Sequence, residues 1–200
     1  MEGIFFYWFF WMFWIIAAFF MKQGASSRLM SAAVLFVLAA SGSEITIGGR
    51  EINAAAAVLL LISVGTAASS PQERTRLFAA AMVSTLLMAA IRFLQLVDPA
   101  IILLNESLIP AVAGSMIPFF FLRAPLIRAA AFSISAAQAE MIYELQLGRM
   151  GLQYIPGTLG FLDLAAIGLA VIITLSVFES AAAFFEQSLQ KYNRQRQGKI

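Results

Sequence analysis

The sequence predicts an all-α fold, an integral membrane helical bundle with seven transmembrane helices, its N-terminus outside and its C-terminus in the cytosol. Two observations lead to this prediction. Hydrophobic residues make up 61% of the 200 residues and charged residues only 12%, whereas soluble domains contain roughly 45–50% apolar residues. The apolar residues form long runs, and the number of basic residues in the connections between the runs alternates.

The alternation of basic residues predicts the orientation. Connections after the odd-numbered runs carry two, two and two basic residues and the C-terminal tail carries four, whereas connections after the even-numbered runs carry one, none and one. Because Lys- and Arg-rich loops stay in the cytosol, the first group is predicted to be cytosolic. Its members are Lys22, Arg28, Arg74, Arg76, Arg123, Arg128, Lys191, Arg194, Arg196 and Lys199.

The predicted spans follow from the length of helix that a bilayer requires. Crossing a hydrocarbon core of about 30 Å takes about 20 helical residues. The runs assigned as spans are residues 3–21, 29–47, 53–69, 77–97, 100–122, 129–147 and 159–185, and residues 186–200 form a basic cytosolic tail. Together, residues 1–185 are predicted to form a single transmembrane domain.

Local features support the individual spans. The first run has no basic segment before it and Lys22 rather than a cleavage site after it, so we interpret it as a retained span and not as a signal peptide. The second and third runs are joined by a turn at Gly48-Gly49, and Ala54–Ala57 allows close helix packing. The third connection contains Pro71, a residue typical of loops.

The fourth span is predicted to end at Asp98, and the fifth contains two prolines. Pro110 and Pro118 have no N–H group, so the carbonyls of Glu106 and Gly114 need other donors and the helix should kink. The sixth run is the least apolar, and therefore one of its sides must face protein or water. The seventh helix is expected to continue into the tail.

The absence of His and Cys from the sequence weighs against several classes of protein. Haem and zinc sites commonly use His, thiolate chemistry needs Cys, and His is the commonest general base. We therefore expect no enzyme activity, no metal site and no cofactor. The basic residues are too dispersed to predict nucleic-acid binding.

Besides Glu44 near the outer end of the second span, five ionisable residues lie within or near the outer halves of the predicted spans: Arg92, Glu106, Glu140, Glu144 and Asp163. Such groups normally pair, take up a proton or line a wet cavity, since placing a charge in lipid costs at least about 2.5–3.5 kcal/mol. Glu140 and Glu144 are four residues apart and share one helical face. One hypothesis is a polar pocket between spans four to seven that opens outward and binds a cation, a proton or a small solute. The alternative is that these groups form hydrogen bonds between helices.

The first residues, Met1-Glu2-Gly3, are followed by the aromatic block Tyr7–Trp11. With the length near 200 residues and the seven-span plan, the sequence resembles the YphA-like group of small membrane proteins of Bacillus-type bacteria. The resemblance implies a multi-pass protein of the bacterial plasma membrane and carries no implied activity, ligand or residue role.

These observations predict a non-enzymatic membrane or assembly factor. The alternative is a small transporter or permeation subunit that uses the acidic pocket, with proton coupling as one mode. The expected partners are the lipid bilayer and either another membrane protein or further copies of this chain, and no nucleic acid.

Overall fold

The structure is a computed structural model that describes residues 2–47, 50–98, 105–152 and 155–197. Within these ranges the chain forms seven α-helices and one β-hairpin, which confirms the predicted all-α fold class. In chain order the elements are α1 Ile4–Ile15, α2 Ala25–Ala40, β1 Glu44–Ile47, β2 Arg50–Asn53, α3 Ala54–Ala68, α4 Arg74–Val97, α5 Leu108–Phe121, α6 Pro125–Arg149 and α7 Leu159–Gln197.

Consecutive helices run in opposite directions, so the bundle has two ends. At the end that carries the β-hairpin, the hairpin end, the N–H of Gly3 before α1 donates to Asp163 near the start of α7, at 2.7 Å. At the opposite end, the tail end, Arg128 in the first turn of α6 donates to the carbonyl of Leu122 after α5, at 2.7 Å. Arg128 also contacts Glu179 far along α7. Helices α1, α3, α5 and α7 therefore begin at the hairpin end.

The β-hairpin occupies the position where the sequence analysis continues the second span. That span was predicted to extend to residue 47, whereas α2 ends at Ala40 and residues 44–47 form β1. Strand β1 pairs with β2 in antiparallel register, with Ile45 opposite Ile52. The predicted turn at Gly48-Gly49 lies outside the described residues, but the β-branched residues on both sides of it favour strands, and this local preference ends the helix early.

Asn53 joins the hairpin to α3. Its side chain accepts a hydrogen bond from the N–H of Ala55 at 2.9 Å and donates one to the carbonyl of Ser41 at 2.9 Å. Asn is a preferred N-cap residue because its side-chain oxygen satisfies an N–H that has no partner inside the helix. One side chain therefore both starts α3 and holds the end of α2.

Helix α5 begins later than the predicted fifth span. Residues 99–104, which the sequence analysis includes in this span, lie outside the described residues. Pro110 lies in the first turn of α5, where backbone N–H groups have no acceptor inside the helix, so the lack of an N–H on proline breaks no helical hydrogen bond. The carbonyl of Glu106 accepts from Nε2 of Gln95 at 3.1 Å, and that of Gly114 accepts from Oγ of Ser84 at 2.7 Å. Helix α4 thus supplies a donor to each of the two carbonyls that the prolines cannot serve.

Helix α7 is the central helix of the core. Leu162, Ala165, Ala166 and Ile172 are fully buried, and α7 packs against α1, α5 and α6. A Cβ atom at Gly168 would overlap the buried ring of Phe132. The glycine therefore lets α6 and α7 approach closely, as expected when helix association in lipid depends on van der Waals contact.

The last part of α7 extends beyond the bundle. The contact between Arg128 and Glu179 marks the tail end, and α7 continues from there to Gln197. The described side chains after Ser176, residues 177–188, are all exposed. The helix thus continues into the tail, as the sequence analysis expects.

Candidate functional site

Buried hydroxyl and amide groups connect α4 to α6 in the middle of the bundle. Oγ of Ser84 lies 3.1 Å from Oγ of Ser135, and Oγ1 of Thr85 lies 2.9 Å from Oε1 of Gln138. Because Ser84 also donates to the carbonyl of Gly114, this contact extends to α5. Unpaired polar groups are costly in a low-dielectric interior, so these hydrogen bonds favour one relative placement of the three helices.

The ion pair between Arg92 and Glu140 lies nearer the hairpin end on the same two helices. The side chain of Glu140 is 3% exposed and that of Arg92 is 15% exposed. The guanidinium also lies over the ring of Tyr143, with Cζ 4.6 Å from the ring centroid. Arg92 is thus held by a carboxylate and by an aromatic face, both on α6.

Glu144 lies one turn closer to the hairpin end than Glu140, and both residues line a groove between α3 and α6. The groove has a volume of about 420 Å³. The other residues that line it are Ile52, Ala56, Ala57, Leu60, Ala137, Met141, Leu145, Pro156, Gly157 and Phe161. Its walls are therefore almost entirely apolar, although two acidic residues contribute to them.

Asp163 belongs to a different contact. Its carboxylate accepts from the N–H groups of Gly3 at 2.7 Å and Phe6 at 2.8 Å, and the residue is only 2% exposed. The first N–H groups of a helix have no partner in the helix itself and carry a partial positive charge. Asp163 therefore caps α1 from α7.

Of the five residues of the hypothesised polar pocket, only Glu140 and Glu144 line this groove. Arg92 contacts Glu140, and Glu140 shares the groove with Glu144. Asp163 and Glu106 are not among the residues that line the groove, and the exposed Glu106 precedes α5 instead of lying on it.

A second buried cation, Arg128, lies at the tail end. Sequence reasoning placed it in a cytosolic connection, but the residue is 4% exposed and donates to Oγ of Ser176 at 3.1 Å and to Glu179 at 2.6 Å. Its guanidinium lies 4.4 Å from the centroid of the Phe119 ring. One sequence signal was available, since Pro125 can occupy the first turn of a helix and would have placed Arg128 inside α6.

The described side chains limit the chemistry of these sites. No group of three or more His, Cys, Asp or Glu residues within the described ranges is arranged to hold a metal ion. Among these side chains are carboxylates, guanidinium groups and hydroxyls engaged between helices, and an apolar groove that Glu140 and Glu144 help to line.

The chain matches the model of the YphA-like integral membrane protein family over residues 2–198. It belongs to this family. No curated protein and no solved structure matches the chain.

Membership of the YphA-like family establishes that the chain is an integral membrane protein. Within the described residues, two helical segments are long and apolar enough to cross a membrane, Pro71–Val97 and Leu159–Ser188. Four shorter apolar helical segments accompany them, Ile4–Phe20, Ala25–Ala40, Ala54–Ala68 and Leu108–Phe121.

The cap on α1 can be tested with Asp163→Asn. Asn has one acceptor oxygen, and its NH₂ group would face the second N–H group, so we expect a loss of about 2 kcal/mol in the free energy of unfolding. Titration of the purified protein with sodium dodecyl sulfate, followed by circular dichroism, measures this loss. Glu106→Gln is the matched control, because it removes an exposed carboxylate and should change stability by less than about 0.5 kcal/mol. Equal effects of the two substitutions would contradict the cap.

The pair between Arg92 and Glu140 can be tested with Arg92→Leu, Glu140→Leu and the double variant. Each single substitution leaves one charge without its partner and should cost about 3 kcal/mol. The double variant removes both charges and should be more stable than either single variant in the same unfolding titration. Additive losses would show that the two side chains are not coupled.

Proposed function

We propose that the seven helices all cross the bacterial plasma membrane, with the hairpin end outside and the tail end in the cytosol. Support comes from the charges at the two ends of the bundle. Six basic residues lie at the tail end, where α7 also leads into the four basic residues of the C-terminal segment, whereas only Arg50, Arg92 and Arg149 lie at the hairpin end or in the adjacent half of a helix. The six are Lys22, Arg28, Arg74, Arg76, Arg123 and Arg128. Anionic lipids and the positive-inside rule both favour the basic end in the cytosol.

Most of the acidic residues belong to the opposite half. Eight of the 11 Asp and Glu residues lie at the hairpin end or in the adjacent half of a helix. They are Glu2, Glu44, Glu51, Asp98, Glu106, Glu140, Glu144 and Asp163. This distribution leaves the tail end with a strong excess of positive charge.

The function that the geometry supports best is that of a non-enzymatic membrane or assembly factor. The observation that carries this proposal is that the buried charges contact other helices of the same bundle. Arg92 and Glu140 join α4 to α6, and Asp163 joins α7 to α1. Charged groups that pair between helices fix the relative positions of those helices. A rigid bundle with apolar outer faces suits a protein that packs against other membrane proteins.

The groove gives a specific reason to keep the second function, a small transporter or permeation subunit with an outward-facing acidic site. Two acidic residues, Glu140 and Glu144, help to line it in the half of α6 nearer the hairpin end. Transport of a proton or cation through this site would depend on those carboxylates. Substituting them therefore distinguishes a transporter from an assembly factor.

The proposed topology can be tested by cysteine labelling. The wild-type chain gives no background label, because its sequence contains no Cys. Ser43→Cys lies at the hairpin end and Gln72→Cys at the tail end, and both side chains are exposed. In intact cells an impermeant maleimide should label the first and not the second, and permeabilised cells should label both. The reverse pattern would overturn the proposed orientation.

The proposed function can be tested by two measurements on the same protein. Purification in a mild detergent after cross-linking should yield a membrane protein in a fixed ratio to this chain, and a harsh detergent without cross-linking is the control. In liposomes that contain a pH-sensitive dye, the wild type and Glu144→Gln should show the same low proton flux. A proton flux that Glu144→Gln abolishes, with no partner in a fixed ratio, would instead favour the transporter.

A further inference from the structure

The part of α7 beyond the bundle is long for a helix that its own chain leaves uncovered. From Glu179, which pairs with Arg128 at the tail end, α7 continues to Gln197, or about 27 Å at 1.5 Å per residue. The described side chains of this extension, residues 177–188, are all exposed. A helix of about 18 residues is only marginally stable in water by itself, since most helical stability in proteins comes from packing of an apolar face. We therefore expect another molecule to cover one face of the extension.

Apolar residues of the extension recur on one face, which we name the α7 stripe. It consists of Phe178, Ala182, Phe185, Leu189 and Tyr192. The intervals alternate between four and three residues, which is the heptad spacing of two helices that pack side by side. Where the structure describes the side chains, Phe178 and Phe185 are 68% and 66% exposed. The pattern therefore indicates that the molecule covering the stripe is another helix.

The α7 stripe lies on the side of the helix opposite to its own bundle. Ser176 marks the side that faces α6, because it is buried and its hydroxyl oxygen accepts from Arg128. Phe185 follows Ser176 by about two and a half helical turns, which places it on the opposite side of α7. A second helix can therefore lie along the stripe without displacing the contacts that hold α7 in the bundle.

Lipid can cover only the first part of the stripe. The inference rests on the proposed crossing of the bilayer by α7, in which Glu179 lies about 30 Å from Leu159, the thickness of the hydrocarbon core. The head-group layer adds about 5–8 Å on each side. Leu189 and Tyr192 follow Glu179 by about 15 and 20 Å along the axis and thus lie beyond the lipids. Phe184, which is not part of the stripe, lies at the depth of the head groups, where aromatic residues are common.

A second copy of this chain presents the matching helix. Two copies share one orientation in the membrane, so their α7 extensions leave the bilayer in parallel and at the same height, as a heptad stripe requires. In a parallel pair, Glu186 beside the stripe faces the other copy's Ala181, so no like charges meet there. The pairing ends before Arg196, which would face an identical charge at the next stripe position.

The area of the α7 stripe is sufficient for a pair of copies. An aromatic residue buries about 150–250 Å² when it is fully covered, and about two thirds of Phe178 and of Phe185 is still open. The three aromatic residues of each stripe, together with Ala182 and Leu189, would bury about 1,000 Å² in total between two copies. Specific protein interfaces begin at about this size.

We propose that two copies of this chain pair in parallel through the α7 stripe, at the cytosolic side of the membrane. The stripes of the two copies face each other, and the two bundles lie on opposite sides of the helix pair. The first partner of the proposed assembly factor is then a second copy of itself, and the outer faces of both bundles stay available for other membrane proteins.

Cysteine cross-linking tests the face that pairs. Ala182→Cys and Ala183→Cys are a matched pair, because both alanines are exposed neighbours and only Ala182 belongs to the stripe. Membranes that contain the full chain are treated with copper phenanthroline, which oxidises two facing thiols to a disulfide. We expect at least tenfold more covalent dimer from Ala182→Cys than from Ala183→Cys, because only the former brings the two Cα atoms within the distance that a disulfide spans.

Two substitutions of neighbouring phenylalanines test the pairing without a cross-link. Phe185→Glu places two carboxylates opposite each other in the stripe, whereas Phe184→Glu adds the same charge outside it. Native mass spectrometry in a mild detergent should show dimers of the wild type and of Phe184→Glu, and a fall of at least tenfold in the dimer fraction for Phe185→Glu. Both side chains are exposed, so circular dichroism should show the same helix content for the two variants.

Three outcomes would overturn the inference: equal cross-linking of Ala182→Cys and Ala183→Cys, a wild type that is monomeric in both experiments, or a different protein cross-linked at Ala182→Cys. A monomer that still purifies with another membrane protein in a fixed ratio would reject the pairing and leave the proposed function intact. Reversed labelling of Ser43→Cys and Gln72→Cys would overturn the orientation alone, because two copies would still share one orientation.

Discussion

The structure depends on one constraint, that a polar group placed among apolar helices must find its partner on another part of the same chain. A hydrocarbon environment supplies no water, and an unsatisfied N–H or carbonyl costs several kcal/mol there. The prolines of α5 show how this constraint acts. The carbonyl of Gly114 has no helical donor because Pro118 lacks an N–H, and Ser84 of α4 supplies the hydrogen bond.

The same constraint explains the charged residues. Asp163 has a fully buried carboxylate because the first turn of α1 presents two N–H groups to it. Arg92 and Arg128 each combine a carboxylate partner with an aromatic ring, one toward the hairpin end and one at the tail end. These contacts join residues that are far apart in the sequence, and together they set the arrangement in which α7 lies at the centre.

The groove between α3 and α6 is an exception to the close packing of the helices. Elsewhere small residues bring helices together, as Gly168 does for α6 and α7. Between α3 and α6 the small residues instead leave a groove, which Glu140 and Glu144 help to line. This integral membrane protein of the YphA-like family is thus a bundle held by internal polar contacts, with an apolar groove between two of its helices.

Sequence alone determined that this protein is helical and belongs in a membrane, because composition and the length of apolar runs act through local physics that needs no partner. It also located the exceptional residues, including the two prolines, Arg92 and the acids of α6 and α7. The early end of α2 had a local signal in the β-branched residues around Gly48-Gly49, which the long apolar pattern obscured. Only the tertiary structure decided that Asp163 caps α1, that Arg92 pairs with Glu140, and that Glu144 lines a groove. Those outcomes depend on which helices become neighbours and how each is rotated, and the positions of residues along the chain do not specify either.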